Sequence, residues 1–284
     1  MEHTREEQIM DVATQTIALR VGCEFRHTLA APTPAIFLVR PAASPAIHVR
    51  DESWTALPTT PYHDYTDLYG NVCRRLTLAP GDSVVTYDAR VQSDGQLDPI
   101  DFAAKQALVE DLPDDVLVYT LPSRFCLSDD IADRAWQLFG ETAPGWERVQ
   151  AICDFVNGHV AFGYGSSTPS TTSSDVLTAG AGVCRDFAHL AIAFIRAMNI
   201  PARYVFGYLP DIDIAATDAE MDFAAWIEVF LGGIWWTFDP RNNARRRGRV
   251  LIARGRDALD VAMVTTYGAA RFDGMTVTAE RTDG

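Results

Sequence analysis

The chain has 284 residues, 48% of them hydrophobic, enough for one large domain or two smaller ones. Its 24 Lys and Arg against 38 Asp and Glu leave a formal charge of −14, which repels nucleic acid and anionic membrane and argues against both as general partners. No apolar run approaches the roughly 20 residues that a bilayer span needs. The start, Met1-Glu2-His3-Thr4-Arg5, lacks the basic-then-apolar layout of a secretory signal, so the expected location is the cytoplasm.

Residues 14–95 read as short strands separated by Pro, Gly and Asp turns. Residues 13–21 alternate polar and apolar positions, residues 67–78 form a hairpin around Tyr69-Gly70-Asn71, and residues 82–91 form another strand. This pattern predicts a small β-sandwich domain, with the linker at residues 93–99. A second domain, residues 100–284, begins with helices. One is expected over 128–139, capped by Ser128 and stopped by Gly140. Another is expected over 144–157, with Gly158 as its stop and Trp146, Val149, Ile152, Cys153 and Val156 on one face. A Ser- and Thr-rich loop over 166–174 precedes a third helix, opened by Cys184 and ended by Asn199 and Pro201. Strands follow at 203–209, 222–231 and 234–239. Helices first and a run of strands after them make the chain α+β rather than βαβ.

Five cysteines are present: Cys23, Cys73, Cys126, Cys153 and Cys184. The odd count, long spacings and lack of a CxxC pair argue against a disulfide framework or a zinc site. Cys153 lies within an apolar helical pattern and reads as core. Cys184 differs. In Gly182-Val183-Cys184-Arg185-Asp186-Phe187-Ala188-His189-Leu190 it stands where a glycine-rich turn runs into a helix. A helix start offers free N–H groups and the positive dipole end, which favour thiolate. Gly180, Ala181 and Gly182 would allow close backbone approach to a substrate.

Downstream, the strand ending at Leu231 is joined through Gly232-Gly233 to the strand starting at Ile234. A two-residue turn pairs Leu231 with Ile234, which sets Trp226 opposite Asp239 and Ala224 opposite Arg241. A histidine at position 224 would then have its ring oriented by Asp239. Trp226 shares the face of Asp239 and is a candidate wall of the cleft.

These residues resemble the bacterial transglutaminase-like family, in the papain-like superfamily of cysteine enzymes. The matching segments include the Cys184 motif, Ile200-Pro201-Ala202-Arg203-Tyr204-Val205, Asp222-Phe223-Ala224-Ala225-Trp226 and Trp236-Thr237-Phe238-Asp239. The resemblance implies a papain-like core of helices on an antiparallel sheet, preceded by a β-rich region. It also implies a Cys-His-Asp triad acting on a peptide or protein without a cofactor or metal, with Cys184 as the nucleophile that forms a thioester and Asp239 as the residue orienting the histidine. The histidine itself belongs where this chain has Ala224. Some members also carry a small residue there, and some have a histidine just past the aspartate, where this chain has Asn242.

The other histidines are poor substitutes. His189 lies about 140° around the helix from Cys184 and points away. His159 ends an earlier helix, and His3, His27, His48 and His63 belong to the N-terminal region. Without a base, Cys184 would depend on the helix dipole and Arg185 for its thiolate. Losing one member of such a triad costs on the order of 10⁴-fold in turnover. Two functions follow as expectations: an impaired acyl-transfer or amide-hydrolysing enzyme, or a natural pseudoenzyme that keeps the cleft for peptide binding or scaffolding. Arg241, Arg245, Arg246, Arg247, Arg249, Arg254 and Arg256 crowd the segment after the hairpin and are expected to pair with the acidic body or else to grip an anionic substrate or partner.

Overall fold

The computed structural model describes residues 16–214 and 220–282. His3 and residues 13–15 of the expected opening strand lie outside the described residues. The first part of the chain forms β1 (Ile17–Leu29), β2 (Thr33–Phe37), β3 (Ile47–Leu57), β4 (Tyr62–Thr66), β5 (Val72–Leu78) and β6 (Gly81–Ser93). Then come α1 (Ala132–Phe139), α2 (Trp146–His159), β7 (Ala161–Phe162), α3 (Ser173–Ala179), β8 (Ala181–Gly182) and α4 (Cys184–Ala197). The chain continues as β9 (Ala202–Tyr208), β10 (Ala224–Leu231), β11 (Ile234–Phe238), β12 (Val250–Gly255), β13 (Val264–Thr266) and β14 (Ala270–Arg281). The molecule is α+β, as its residue pattern predicts.

The β-rich region is two four-stranded antiparallel sheets, ordered β14-β1-β6-β3 and β13-β2-β5-β4. Leu19, Val21, Cys23 and Phe25 alternate inward along β1, and Phe25 meets Phe37 of the other sheet edge-on at 5.7 Å. Two of these strands come from the far end of the chain. β14 runs the length of β1 and β13 pairs with β2, so the expected division at residues 95 and 100 omits part of the sandwich. The β1 edge left open by β6 needs a partner for its backbone groups, and the C-terminal strand supplies it.

The second unit is a four-stranded antiparallel sheet ordered β11-β10-β9-β12, with α4 packed on β9 and β10 and touched by α1, α2 and α3. Every residue of α4 from Asp186 to Arg196 is buried, not only the expected stripe of Phe187, Leu190, Ala191, Phe194, Ile195 and Met198, because the helix is enclosed by other elements on its remaining sides. Phe139, Phe155 and Phe194 close one side with edge-on contacts of 5.4 to 5.7 Å. Removing a ring such as Phe194 would cost about 3–5 kcal/mol. α1 begins at Ala132 rather than Ser128, which is buried in the preceding turn, and α2 runs through Gly158 to His159. The two units meet where the Tyr208 hydroxyl donates to Val39 O (2.8 Å) and Phe223 stacks on Phe25 (6.3 Å). Among the described residues, no helix is long and apolar enough to cross a membrane.

Candidate active site

Several contacts fix the start of α4. β7 and β8 pair in parallel and hold Gly182 beside Phe162. The Asp186 carboxylate accepts from Val183 N at 2.8 Å, satisfying a free donor at the helix start. Gly182 is needed for this turn, because a Cβ there would lie 2.7 Å from Asp186 Cβ. Its smallness therefore serves packing, not substrate approach as expected from the sequence. Arg185 binds Asp186 (3.1 Å), Ser167 Oγ (2.6 Å) and Thr168 O (2.8 Å), which pins the Ser- and Thr-rich loop. Its guanidinium is thereby committed to this loop rather than to the thiol.

Cys184 is half-buried, whereas the other four cysteines are buried, and all five are free thiols. Its Sγ lies 3.8 Å from Phe223 O and donates to it. Burial pushes the thiol above its ordinary pKa; the Arg241 charge opposes this and Asp222 adds to it. The dipole argument expected a favoured thiolate. Desolvation at this crowded helix start works against that expectation.

Two cavities meet at Cys184, and Val183, Asp222, Phe223 and Ala224 line both. The first, about 520 Å³, is charged, with Asp211, Glu220, Arg241, Asn242 and Arg246 in its wall. The second, about 600 Å³, is largely apolar, with Phe206, Val261, Ala262, Met263 and Val264 facing Ser167 and Thr168.

The hairpin keeps the expected register from Leu231–Ile234 to Ile227–Phe238. Gly232 and Gly233 both have positive φ (61° and 87°), as this two-residue turn demands. Pairing then stops, so Trp226–Asp239 and Ala224–Arg241 are not ladder pairs. Pro240 has no N–H to continue the ladder, and Asn243 N turns back to Asp239 O at 2.7 Å. Asp239, 6% exposed, accepts from Asn242 Nδ2 (2.8 Å), Asn242 N (2.9 Å) and Arg249 Nη2 (2.8 Å). Arg249 also bonds Asp98 at 2.9 Å and lies 5.0 Å from the centre of the Trp226 ring. Trp226 and Asp239 are thus on one side of the sheet, bridged by this guanidinium. Trp226 is 2% exposed and lines neither cavity; it packs with Val205, Leu209 and Ala224. Asp239 likewise lines neither cavity at Cys184. Asn242 stands between it and the charged one.

Comparison with known proteins bears directly on this arrangement. A model of the transglutaminase-like superfamily matches residues 133–240, from α1 to the residue after Asp239. A solved structure from Cytophaga hutchinsonii, described as a candidate cysteine protease, superimposes with a TM-score of 0.84 at 30% identity, covering 95% of this chain and 92% of that one. The chain belongs to the transglutaminase-like superfamily. An uncharacterized Mycobacterium leprae protein is 29% identical over 215 residues, 72% of this chain and 76% of that protein. An uncharacterized Mycobacterium tuberculosis protein is 34% identical over 144 residues, and the match spans 46% of its length.

Within this transglutaminase-like core, no described histidine lines either cavity beside Cys184. His189 is fully buried, stacks on Phe125 at 5.2 Å and accepts from Ala258 N at 3.1 Å, so it is a packing residue. Burial and the charges of Arg185 and Arg196 push its pKa well down, keeping it neutral. His159 Nε2 bonds Leu177 O at 2.8 Å. Most of the arginine cluster forms ion pairs: Arg246 with Asp211, Arg247 with Asp213, Arg249 with Asp98 and Asp239, Arg254 with Glu228 and Arg256 with Asp260. Arg241 instead faces the charged cavity, its guanidinium 4.0 Å from the centre of the Phe162 ring. The residue pattern gave Asp222 no part in the chemistry and Arg241 only a share in gripping an anionic substrate or partner. The signal available was position alone: Asp222 opens a segment that carries the family resemblance, and Arg241 lies two residues past another.

Proposed function

We propose that this chain transfers or hydrolyses acyl groups of a peptide or protein through a thioester on Cys184, at a rate far below that of a full triad. The observation that carries this reading is the setting of Cys184, the only cysteine of the five that is not buried, at a helix start where two cavities of unlike character meet. An apolar chamber beside a charged one suits an acyl donor on one side and a leaving or attacking amine on the other. Ala224 occupies the histidine position of the motif, so the ordinary base is missing, and Asp239 is the residue that would have oriented it. The five free thiols favour a reducing compartment, the cytoplasm.

The test is incubation with a glutamine peptide, with and without a primary amine, following ammonia, peptide fragments and the mass of the intact protein. A thioester adduct or product formation that disappears in Cys184→Ala supports the reading. A second reading, a pseudoenzyme that binds peptides in the cleft, is favoured by the capture of Asp239 by Arg249 and Asn242. It predicts peptide binding to both wild type and Cys184→Ala with no product from either.

A further inference from the structure

Among the described residues no imidazole lines the cavities at Cys184, but a carboxyl group does. Asp222 lines both cavities, as Cys184 does. Its carboxylate accepts from Phe223 N at 2.7 Å, while the Cys184 thiol donates to Phe223 O at 3.8 Å. The two side chains therefore hold opposite ends of one residue, at the free beginning of β10. Arg241 lines the charged cavity with them, fixed over Phe162. We infer that Asp222 is the proton-transfer residue of this site in place of the absent histidine, with Arg241 as its cationic partner; this rests on the thioester reading above.

The surroundings fit the role. Burial raises the Asp222 carboxyl above the usual range, opposed by the Phe223 N–H and the Arg241 charge. A carboxyl so displaced is a stronger base than an exposed one, which suits it to take up the thiol proton. The other titratable groups lining the two cavities are Tyr164 and Tyr204, both held as neutral phenols by burial, with Asp211, Glu220, Arg185 and Arg246. Arg185 is spent on Asp186 and the loop.

The cycle balances without a co-reactant other than water or an amine. The Asp222 carboxylate takes the thiol proton as sulfur attacks the amide carbon and the C–S bond forms. When the tetrahedral adduct collapses, the C–N bond breaks and Asp222 gives that proton to the departing nitrogen, leaving an amine and a thioester. Water or a second amine then loses a proton to Asp222 as it attacks the thioester carbonyl. The C–S bond breaks, and the thiolate recovers the proton from Asp222. Because a carboxylate is a much weaker base than this elevated thiolate, the first transfer is uphill and turnover is slow.

The experiment compares wild type, Asp222→Asn, Asp222→Glu and Cys184→Ala on paired peptide substrates, an anilide and a p-nitrophenyl ester of the same acyl group. The anilide nitrogen must be protonated to leave, and p-nitrophenolate need not be. Asp222→Asn is expected to lower anilide kcat by about 10²–10⁴-fold and ester kcat by less than about 10-fold, with part of the anilide rate returning in Asp222→Glu. In parallel, Asp222→Asn is expected to move the pH midpoint of Cys184 alkylation by iodoacetamide downward, since it removes a negative charge facing the thiol. Equal losses on both substrates, no loss on either, or an unmoved alkylation midpoint overturns the inference while leaving the thioester reading in place. A wild-type protein that cleaves neither substrate overturns both.

Discussion

Cys184 and Asp239, which match the nucleophile and the orienting aspartate of the family motif, sit in opposite circumstances. Cys184 stands half-buried between two cavities, one charged and one largely apolar, its sulfur against a backbone carbonyl. Asp239 is enclosed, with Arg249 and Asn242 on its carboxylate and Asp98 completing the cluster. The nucleophile's end remains open to a substrate, while the orienting end has become a buried ion network. A carboxylate that waits for an imidazole must keep a lone pair free toward the site. In this chain the Asp239 carboxylate is bound by an amide and a guanidinium.

The comparison is broken most directly at Arg249. Arg249→Met should destabilise the fold by about 3–5 kcal/mol in urea unfolding, because the buried Asp239 and the half-buried Asp98 are left without their shared partner; a loss below about 1 kcal/mol would mean the cluster is not the structural element described. The next test puts the imidazole back. Asn242 already touches Asp239 and lines the charged cavity with Cys184, so Asn242→His should raise amide turnover by about 10²-fold or more. Ala224→His should give a smaller gain, since Arg249 and Asn242 occupy the carboxylate that would orient its ring. The reverse ranking in a steady-state assay would place the productive histidine position on β10.

A third prediction concerns another buried ion cluster on the same sheet. Burial pushes the Glu228 carboxyl up, but hydrogen bonds and charges from Arg254 and Arg203 more than offset this and hold its pKa below the usual value. A depressed folded-state pKa contributes stability that is fully present above the ordinary carboxyl pKa and is lost as pH falls through the depressed value. Glu228→Gln should therefore cost about 1–3 kcal/mol at neutral pH, and the difference from wild type should shrink on acidification in parallel denaturation curves. The smallest effect is at the thiol itself. Cys184 should react with iodoacetamide more slowly at neutral pH than a free thiol, its rate climbing only in the alkaline range, and Arg241→Met should move the midpoint higher still. A midpoint below that of free cysteine would restore the dipole-favoured thiolate.

Much of the candidate site is legible in the residues alone. The cysteine at a helix start, the Gly232-Gly233 turn and the register it sets down to Phe238 are local matters, decided by capping, φ preference and strand period. The burial of Trp226 could not be read this way. Strand period places it on the side of Asp239, but whether that side is open or covered depends on Arg249 of the segment before β12. The pairing of β14 with β1 was equally hidden, since nothing in either strand names a partner more than two hundred residues away.

By itself, then, the chain's order of residues determined its family, its α+β character, the thiol at the start of α4 and the absence of a histidine at position 224. Those follow from short-range spacing and from motifs that are contiguous in the chain. Only the tertiary structure decided that burial pushes the thiol pKa up, that Asp239 is bound by Arg249 and Asn242, and that Asp222 and Arg241 share the cavity with Cys184. Desolvation and charge pairing depend on which distant segments come within a few ångströms, and that is settled by packing rather than by neighbours along the chain.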